Sequence, residues 1–407
     1  MTSSLDELVP ENHFVRTVSK TVDEQDIEKI FAQNTKGGGT SRYNPVMMKV
    51  LIYLHGLGSS GQSSTATSLR ELLPDWEIIS PDIPLHPQEA LPMLRQLCKE
   101  KKPQLVVGTS MGGMYAQQMH GYCKILVNPA FHVSEFMRKN LGVHTFFSPR
   151  QDGVTQFEIT PTLCDAYAEM ERTQFDAMEF NDTGITLGLF GTKDELMDCR
   201  EEYLKHYSYA STFEGGHRLS REVLENVILK WMKVFSYSTG GCTAKLIHII
   251  YRERYVPDSF HRKLIQRIRS NNHKYGLQGE ESYIYDELFL IPRTELFACR
   301  IGMKWGILKY DDSNLLPVTF VPCEMDVIFE CSEDEASLVP LLKNLRWGFV
   351  EAFPKDTYIS PIYEDIDWPC EEPIKVLKNG TWGYLDEKYR FTTDRNEASF
   401  YSYMEED

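Results

Sequence analysis

Between residues 48 and 235, short apolar runs alternate with stretches of helical spacing, and no other feature limits this chain so strongly. The runs are Lys49–Leu54, Trp76–Ile79, Gln104–Val107, Lys124–Val127, Ile185–Phe190 and Tyr209–Phe213. The first reads KVLIYL, a short and largely apolar, β-branched segment of the kind buried on both faces of a parallel sheet. Helical stretches are expected over Ser63–Leu73, over Pro87–Lys101 with proline at its first turn, over Gly112–Met119 and over Arg221–Phe235. Strand-helix alternation predicts an α/β fold with a doubly wound, mostly parallel sheet. Functional residues of such sheets lie beyond the carboxyl ends of the strands.

Gly108-Thr109-Ser110-Met111-Gly112 fits the pattern G-x-S-x-G and falls directly between a strand and a helical stretch. In that setting the glycines permit a sharp turn that presents Ser110 Oγ at the sheet edge, with the helix N-terminus aimed at a developing oxyanion. A serine is a weak nucleophile without a base, and the base needs a third group to orient it. The chain order serine, acid, histidine selects among eleven histidines. His217, in Phe213-Glu-Gly-Gly-His-Arg-Leu, follows the last expected strand, and Gly215-Gly216 frees its loop to turn back over the sheet. His55, His86, His120, His132 and His144 precede the acid or sit in helical stretches and read as structural, and His206 falls within an expected helix. The acid is expected in Gly191-Thr192-Lys193-Asp194-Glu195, with Asp194 as the choice and Glu195 and Asp198 behind it. His55-Gly56-Leu57-Gly58 after the first strand supplies a supporting loop, and the N–H groups of Leu57 and Met111 are the expected oxyanion hole.

These elements together resemble the α/β-hydrolase family. The stretch Tyr53-Leu54-His55-Gly56-Leu57-Gly58-Ser59-Ser60, with Ser80-Pro81-Asp82 and Gly108-Thr109-Ser110-Met111-Gly112-Gly113, is most similar to the small bacterial YqiA-type esterases. The resemblance covers 48–235. It implies hydrolysis of a small carboxylic ester or thioester through an acyl-enzyme, with no metal and no cofactor. Residues 130–180 are longer than the smallest members require. Phe131, Phe136, Met137, Phe146 and Phe147 there are apolar enough to line an acyl pocket, to form a lid, or to pack on the sheet.

The remainder divides into three parts. Residues 236–283 read as a linker (Ser-Tyr-Ser-Thr-Gly-Gly at 236–241) and a basic, helical segment over 243–274. Residues 284–407 read as a smaller, acidic, β-rich repeat domain marked by Trp305-Gly306, Trp347-Gly348 and Trp382-Gly383. Lys378-Asn379-Gly380 ahead of the third copy signals a hairpin. These copies resemble the WG-repeat family, which implies an interaction module with a protein partner. Residues 1–47, from Leu8-Val9-Pro10-Glu11-Asn12-His13 to Arg42-Tyr43-Asn44-Pro45, resemble the N-terminal region of insertion-sequence transposases. Only that stretch matches, so it is read as a fusion or a misplaced start, with Met47 or Met48 the natural one.

Net charge is −16, and most of it lies in the tail beyond residue 280, while 243–279 is basic. So negative a chain is not expected to take nucleic acid. Nine cysteines without a CxxC pair argue against a disulfide framework and for a reducing cytoplasm. No run of 18 apolar residues suggests a membrane span. Residues 48–235 hold every candidate site residue and about enough chain to bury a core, so they are expected to fold and act alone. The other reading is a non-catalytic scaffold that binds through the Trp-Gly copies and carries a vestigial hydrolase body.

Overall fold

The computed structural model describes residues 49–239 and 285–398, apart from 292–293, 295, 312–315, 330–337, 352–356, 368–372 and 387. The N-terminal extension 1–47 and the basic segment 243–274 lie outside the described residues.

The chain runs β1 (Lys49–Leu54), α1 (Ser64–Leu72), β2 (Trp76–Ile79), α2 (Pro87–Lys101), β3 (Leu105–Thr109), α3 (Met111–Gln117) and β4 (Lys124–Val127). An excursion follows: α4 (Val133–Arg138), the hairpin β5 (Gly142–Thr145) and β6 (Gln156–Ile159), α5 (Pro161–Thr173) and α6 (Phe180–Gly184). The main path resumes with β7 (Thr186–Gly191), α7 (Arg200–His206), β8 (Tyr209–Phe213), α8 (Arg221–Val223), a π turn over Leu224–Ile228 and α9 (Leu229–Thr239).

Six of these strands form one parallel sheet in the order β2-β1-β3-β4-β7-β8. The runs of the inner strands β1, β3, β4 and β7 are buried on both faces, while the edge strand β2 is half-buried throughout. Leu51 and Tyr53 of β1 enter one apolar cluster with α1 and the C-terminal helix, while Ile52 and Leu54 enter another with α2 and α3. Helices are capped where the sequence provides for it. The Ser63 hydroxyl accepts the Ala66 N–H at 3.3 Å at the start of α1, and Thr160 accepts from Leu163 at 3.1 Å ahead of Pro161 in α5.

The expected linker begins too early. The last helix continues through Thr239, because Ser236, Tyr237, Ser238 and Thr239 cost a helix far less than glycine does, and Gly240-Gly241 comes only afterwards.

Among the described residues from 285 onward, the chain makes three antiparallel four-stranded sheets. The first holds β9 (Glu287–Leu290), β10 (Leu296–Ile301), β11 (Lys304–Asp311) and β12 (Leu316–Met325). The second holds β13 (Val327–Ile328), β14 (Leu338–Lys343), β15 (Arg346–Glu351) and β16 (Thr357–Tyr363). The third holds β17 (Asp365–Ile366), β18 (Lys375–Lys378), β19 (Thr381–Leu385) and β20 (Phe391–Thr392). A Trp-Gly pair sits in the third strand of each. In each the next strand presses close on the glycine, and in the first two the register shifts beside it. A Cβ on Gly306 would meet the Val321 carbonyl oxygen at 2.7 Å, and one on Gly348 would meet that of Ile359 at 2.5 Å. The Asn379-Gly380 turn has positive φ at both residues, as a two-residue hairpin of this hand needs. Trp305 and Trp347 are buried, but Trp382 is 42% exposed and lies under the Lys375 ammonium.

These sheets share an apolar core with the parallel sheet. Trp305 stacks on Tyr209 of the edge strand β8, with ring centroids 5.5 Å apart. The Ser211 hydroxyl donates to buried Asp326 at 3.2 Å, and Ser208 to Glu287 at 3.1 Å. Among the described residues no helix is long and apolar enough to cross a membrane, and the described cysteines are free thiols.

Candidate active site

Strand β3 runs two residues further than its apolar pattern indicated and delivers Ser110 at its carboxyl end. Ser110 has φ 54° and ψ −123°, a conformation that is sparsely populated for a residue with a side chain. Its backbone is held firmly. The Ser110 N–H donates to the Val127 carbonyl at 3.1 Å, and its carbonyl accepts from Gly113 at 2.9 Å and Ala130 at 3.0 Å. The flanking glycines are needed for close approach as much as for the turn. A Cβ on Gly112 would run into the Leu54 carbonyl, and one on Gly108 into the Gly112 carbonyl.

The His217 ring stands between two partners. Its Nδ1 lies 2.8 Å from Asp194 Oδ2, and its Nε2 lies 2.9 Å from Ser110 Oγ. A carboxylate only accepts, so Nδ1–H donates to Asp194, and Nε2 is left to accept the Ser110 hydroxyl proton. Asp194 is in turn fixed by N–H donors, Leu196 at 2.9 Å and Met197 at 3.2 Å, both to Oδ1. The two alternative acids are not brought to the histidine: Asp198 pairs with Arg200 and Glu195 is exposed. His206 ends α7 against Glu202 and stacks on Phe175.

The supporting loop closes over Ser110. Gly56 lies so near that a Cβ there would stand 3.2 Å from Ser110 Cβ. The N–H groups of Leu57 and Met111 have no acceptor among the described residues. Met111 opens α3, where the N–H has no partner within the helix. His55 is buried. Its Nε2 accepts the Ile83 N–H at 3.3 Å, which leaves Nδ1–H to donate to the Gly56 carbonyl at 2.9 Å. Burial depresses its pKa to about 4, so the ring is neutral and ties this loop to the stretch that follows β2. Gly58, at φ 71°, packs on Phe147, whose N–H donates to the Gly58 carbonyl at 2.8 Å.

Asn128 was invisible to motif reading. It ends β4 at φ 44° and is 2% exposed. Its Oδ1 accepts the Gly191 N–H at 2.7 Å, and its Nδ2 donates to the carbonyls of Gly216 at 3.0 Å and His217 at 3.3 Å. One side chain thus joins the loop of the acid to the loop of the histidine. The sequence signal was an asparagine directly after a buried strand, a place that favours positive φ.

The five apolar residues of the 130–180 excursion divide. Phe131 and Met137 pack in the core, Phe146 packs at a tilt against Phe157 with Arg150 over its ring, and Phe136 and Phe147 line a cleft of about 650 Å³ that includes Ser110 and His217. Its lining is mixed: apolar side chains such as Val133, Phe157, Ile159 and Met197, and hydroxyl-bearing ones such as Tyr53, Ser63, Thr65 and Thr109. Among the described residues no group of three His, Cys, Asp or Glu is disposed to hold a metal ion.

Residues 50–226 match the model of the Uncharacterised protein family (UPF0227). This is the YqiA-like esterase family, and the resemblance seen in the loop and elbow motifs is borne out. Residues 3–70 match a second model, Transposase domain (DUF772). The two matches overlap at 50–70, which here span most of β1, the loop after it and most of α1. Among solved structures, Est1E from Butyrivibrio proteoclasticus is 14% identical, covering 48% of this chain and 90% of its own, with a TM-score of 0.35. Alpha/beta hydrolase domain-containing protein 10 from mouse is 13% identical over 46% and 89%, with a TM-score of 0.33. A soluble variant of monoglyceride lipase from Saccharomyces cerevisiae is 12% identical over 50% and 89%, with a TM-score of 0.36.

Proposed function

We propose that residues 48–235 form a serine hydrolase that cleaves carboxylic esters or thioesters through an acyl-enzyme. The observation that carries this is the His217 ring, within 2.9 Å of Ser110 Oγ on one side and 2.8 Å of Asp194 on the other. In this reading Ser110 Oγ attacks the substrate carbonyl carbon while its proton passes to His217 Nε2. The imidazolium is stabilised by Asp194, and the carbonyl oxygen gathers charge against the Leu57 and Met111 N–H groups. The C–O or C–S bond then breaks, and His217 returns the proton to the leaving group. Water, deprotonated by the same nitrogen, releases the acid and restores Ser110. The apolar side chains of the cleft suit an acyl chain and need no metal or cofactor to do so.

Residues 284–407 fit the same proposal as a WG-repeat-like module for a protein partner, and the free cysteines suit a cytoplasmic location. The test is labelling of the full chain by a fluorophosphonate together with turnover of an acyl ester series. Covalent capture lost in Ser110→Ala supports the reading. Capture that persists in that variant, or no turnover of any ester or thioester, overturns it.

A further inference from the structure

Arg218 follows His217 directly, and its guanidinium carbon lies 4.8 Å from the centroid of the Phe147 ring. Both residues line the Ser110 cleft. Phe147 is itself anchored through its N–H to the Gly58 carbonyl, so its ring spans from the loop of Leu57 to the loop of His217. A guanidinium laid on an aromatic face gives up that face and keeps its in-plane N–H fork for the oxygens of a carboxylate or a phosphate.

Among the described residues no carboxylate pairs with this fork. Arg138, Arg150, Arg200 and Arg221 each pair with a nearby Asp or Glu. Arg218 has no ion-pair partner among the described residues. Among the described residues that line the cleft there is no Asp or Glu, and Arg218 is the only Lys or Arg. Asp194 stands behind His217 and is engaged by it, so Arg218, exposed at the rim, is the charged side chain that the cleft offers to an incoming molecule. Such a site favours an anion in the molecule that reaches Ser110.

We propose that Arg218 selects esters bearing an anionic group, a carboxylate or a phosphate, on the part of the substrate that lies along Phe147. The proposal rests on the esterase reading and specifies its substrate class.

The test uses the full chain and three esters of matched length, one neutral, one ending in a carboxylate and one ending in a phosphate. A charge-assisted, bidentate contact predicts a preference in kcat/KM for one or both anionic esters of roughly tenfold to a hundredfold. The ratio between the two anionic arms tells which group is read. Arg218→Gln is expected to bring the anionic-to-neutral ratio to about one, and Arg218→Lys to restore part of it, since an ammonium keeps the charge without the fork. A wild-type chain indifferent to charge, or a ratio unmoved by Arg218→Gln, overturns the proposal. Calorimetric binding of the same esters to Ser110→Ala, with and without Arg218→Gln, requires no turnover. If no ester is hydrolysed but the anion preference in binding disappears with Arg218→Gln, the esterase reading fails and the anion site stands. Binding that ignores both the anion and Arg218 overturns the site alone.

Discussion

The Asn128 side-chain oxygen accepts the Gly191 N–H at 2.7 Å, so the end of β4 holds the start of the loop that carries Asp194. The same amide holds Gly216 and His217 through their carbonyls. Ser110 is bonded to Val127, immediately before Asn128. Ser110, His217 and the loop of Asp194 are therefore all referred to one strand end. Asn128→Ala is expected to lower kcat by roughly tenfold to a hundredfold with a smaller change in KM, because misplacing a base by a fraction of an ångström costs rate rather than binding. Asn128→Asp keeps the acceptor for Gly191 but turns a buried carboxylate oxygen toward the Gly216 and His217 carbonyls, and should cost at least as much as the alanine. Melting curves separate this from a structural role: a variant with lowered Tm and unchanged kcat per folded molecule would refute it.

Ser110→Ala and His217→Ala should each reduce ester kcat by about a thousandfold or more, and the double variant should lose little beyond either one. Groups that act as a unit do not give additive losses. Single and double variants assayed on one ester decide the matter, and multiplicative losses would mean that the two side chains act separately.

For the acid, Asp194→Asn is expected to cost on the order of 10²–10⁴ in kcat, since an amide can hold the ring in the wrong tautomer. Asp198→Asn should be nearly silent, because Asp198 faces Arg200 and not His217. Reversed results would move the acid to Asp198.

Much of this site is legible in sequence because its parts are local. A buried strand, a glycine-flanked serine and a helix occupy neighbouring positions, and the histidine and acid follow strands whose apolar runs stand out. What escaped is what depends on packing between distant segments. Gly112 is needed because the Leu54 carbonyl lies against it, and Asn128 matters because three strand ends meet there. The split among the excursion's aromatics is of the same kind: Phe131 and Phe147 are alike in sequence, and only their neighbours bury one and expose the other. The Trp-Gly copies showed a period. They gave no sign that Trp305 would be buried against the edge of the parallel sheet.

Stability should depend on pH through His55. The folded chain keeps this ring neutral down to about pH 4, whereas the unfolded chain protonates it near 6.5. Between these values the unfolded state binds more protons, so the contribution is complete above about pH 6.5 and is lost as pH falls toward 4. The shift corresponds to on the order of 3 kcal/mol. Denaturant unfolding at pH 7 and pH 4.5 should show a larger drop for the wild type than for His55→Gln, whose side chain does not titrate. Equal drops would show that another group governs acid sensitivity.

The stacked pair Tyr209 and Trp305 sets the last expectation. Composition and the Gly-Gly at 240–241 marked residues 48–235 as a stretch able to stand alone, yet β8 is an edge strand whose Tyr209 and Ser211 are both buried against the later sheets. Trp305 is fully buried, and its loss opens a large cavity between the two sets of strands. Trp305→Ala is therefore expected to destabilise the chain by about 3–5 kcal/mol and to lower the melting of the parallel sheet along with the β module. A fragment ending at Thr239 exposes Tyr209 and removes the Asp326 partner of Ser211, so it should melt below the full chain and lose activity on warming first. Thermal melts followed by near-ultraviolet circular dichroism, with residual ester turnover sampled along the same ramp, provide the comparison. If the fragment melts at the temperature of the full chain, and Trp305→Ala leaves the loss of turnover where it was, the two sets of strands fold independently and their contact contributes nothing to the site.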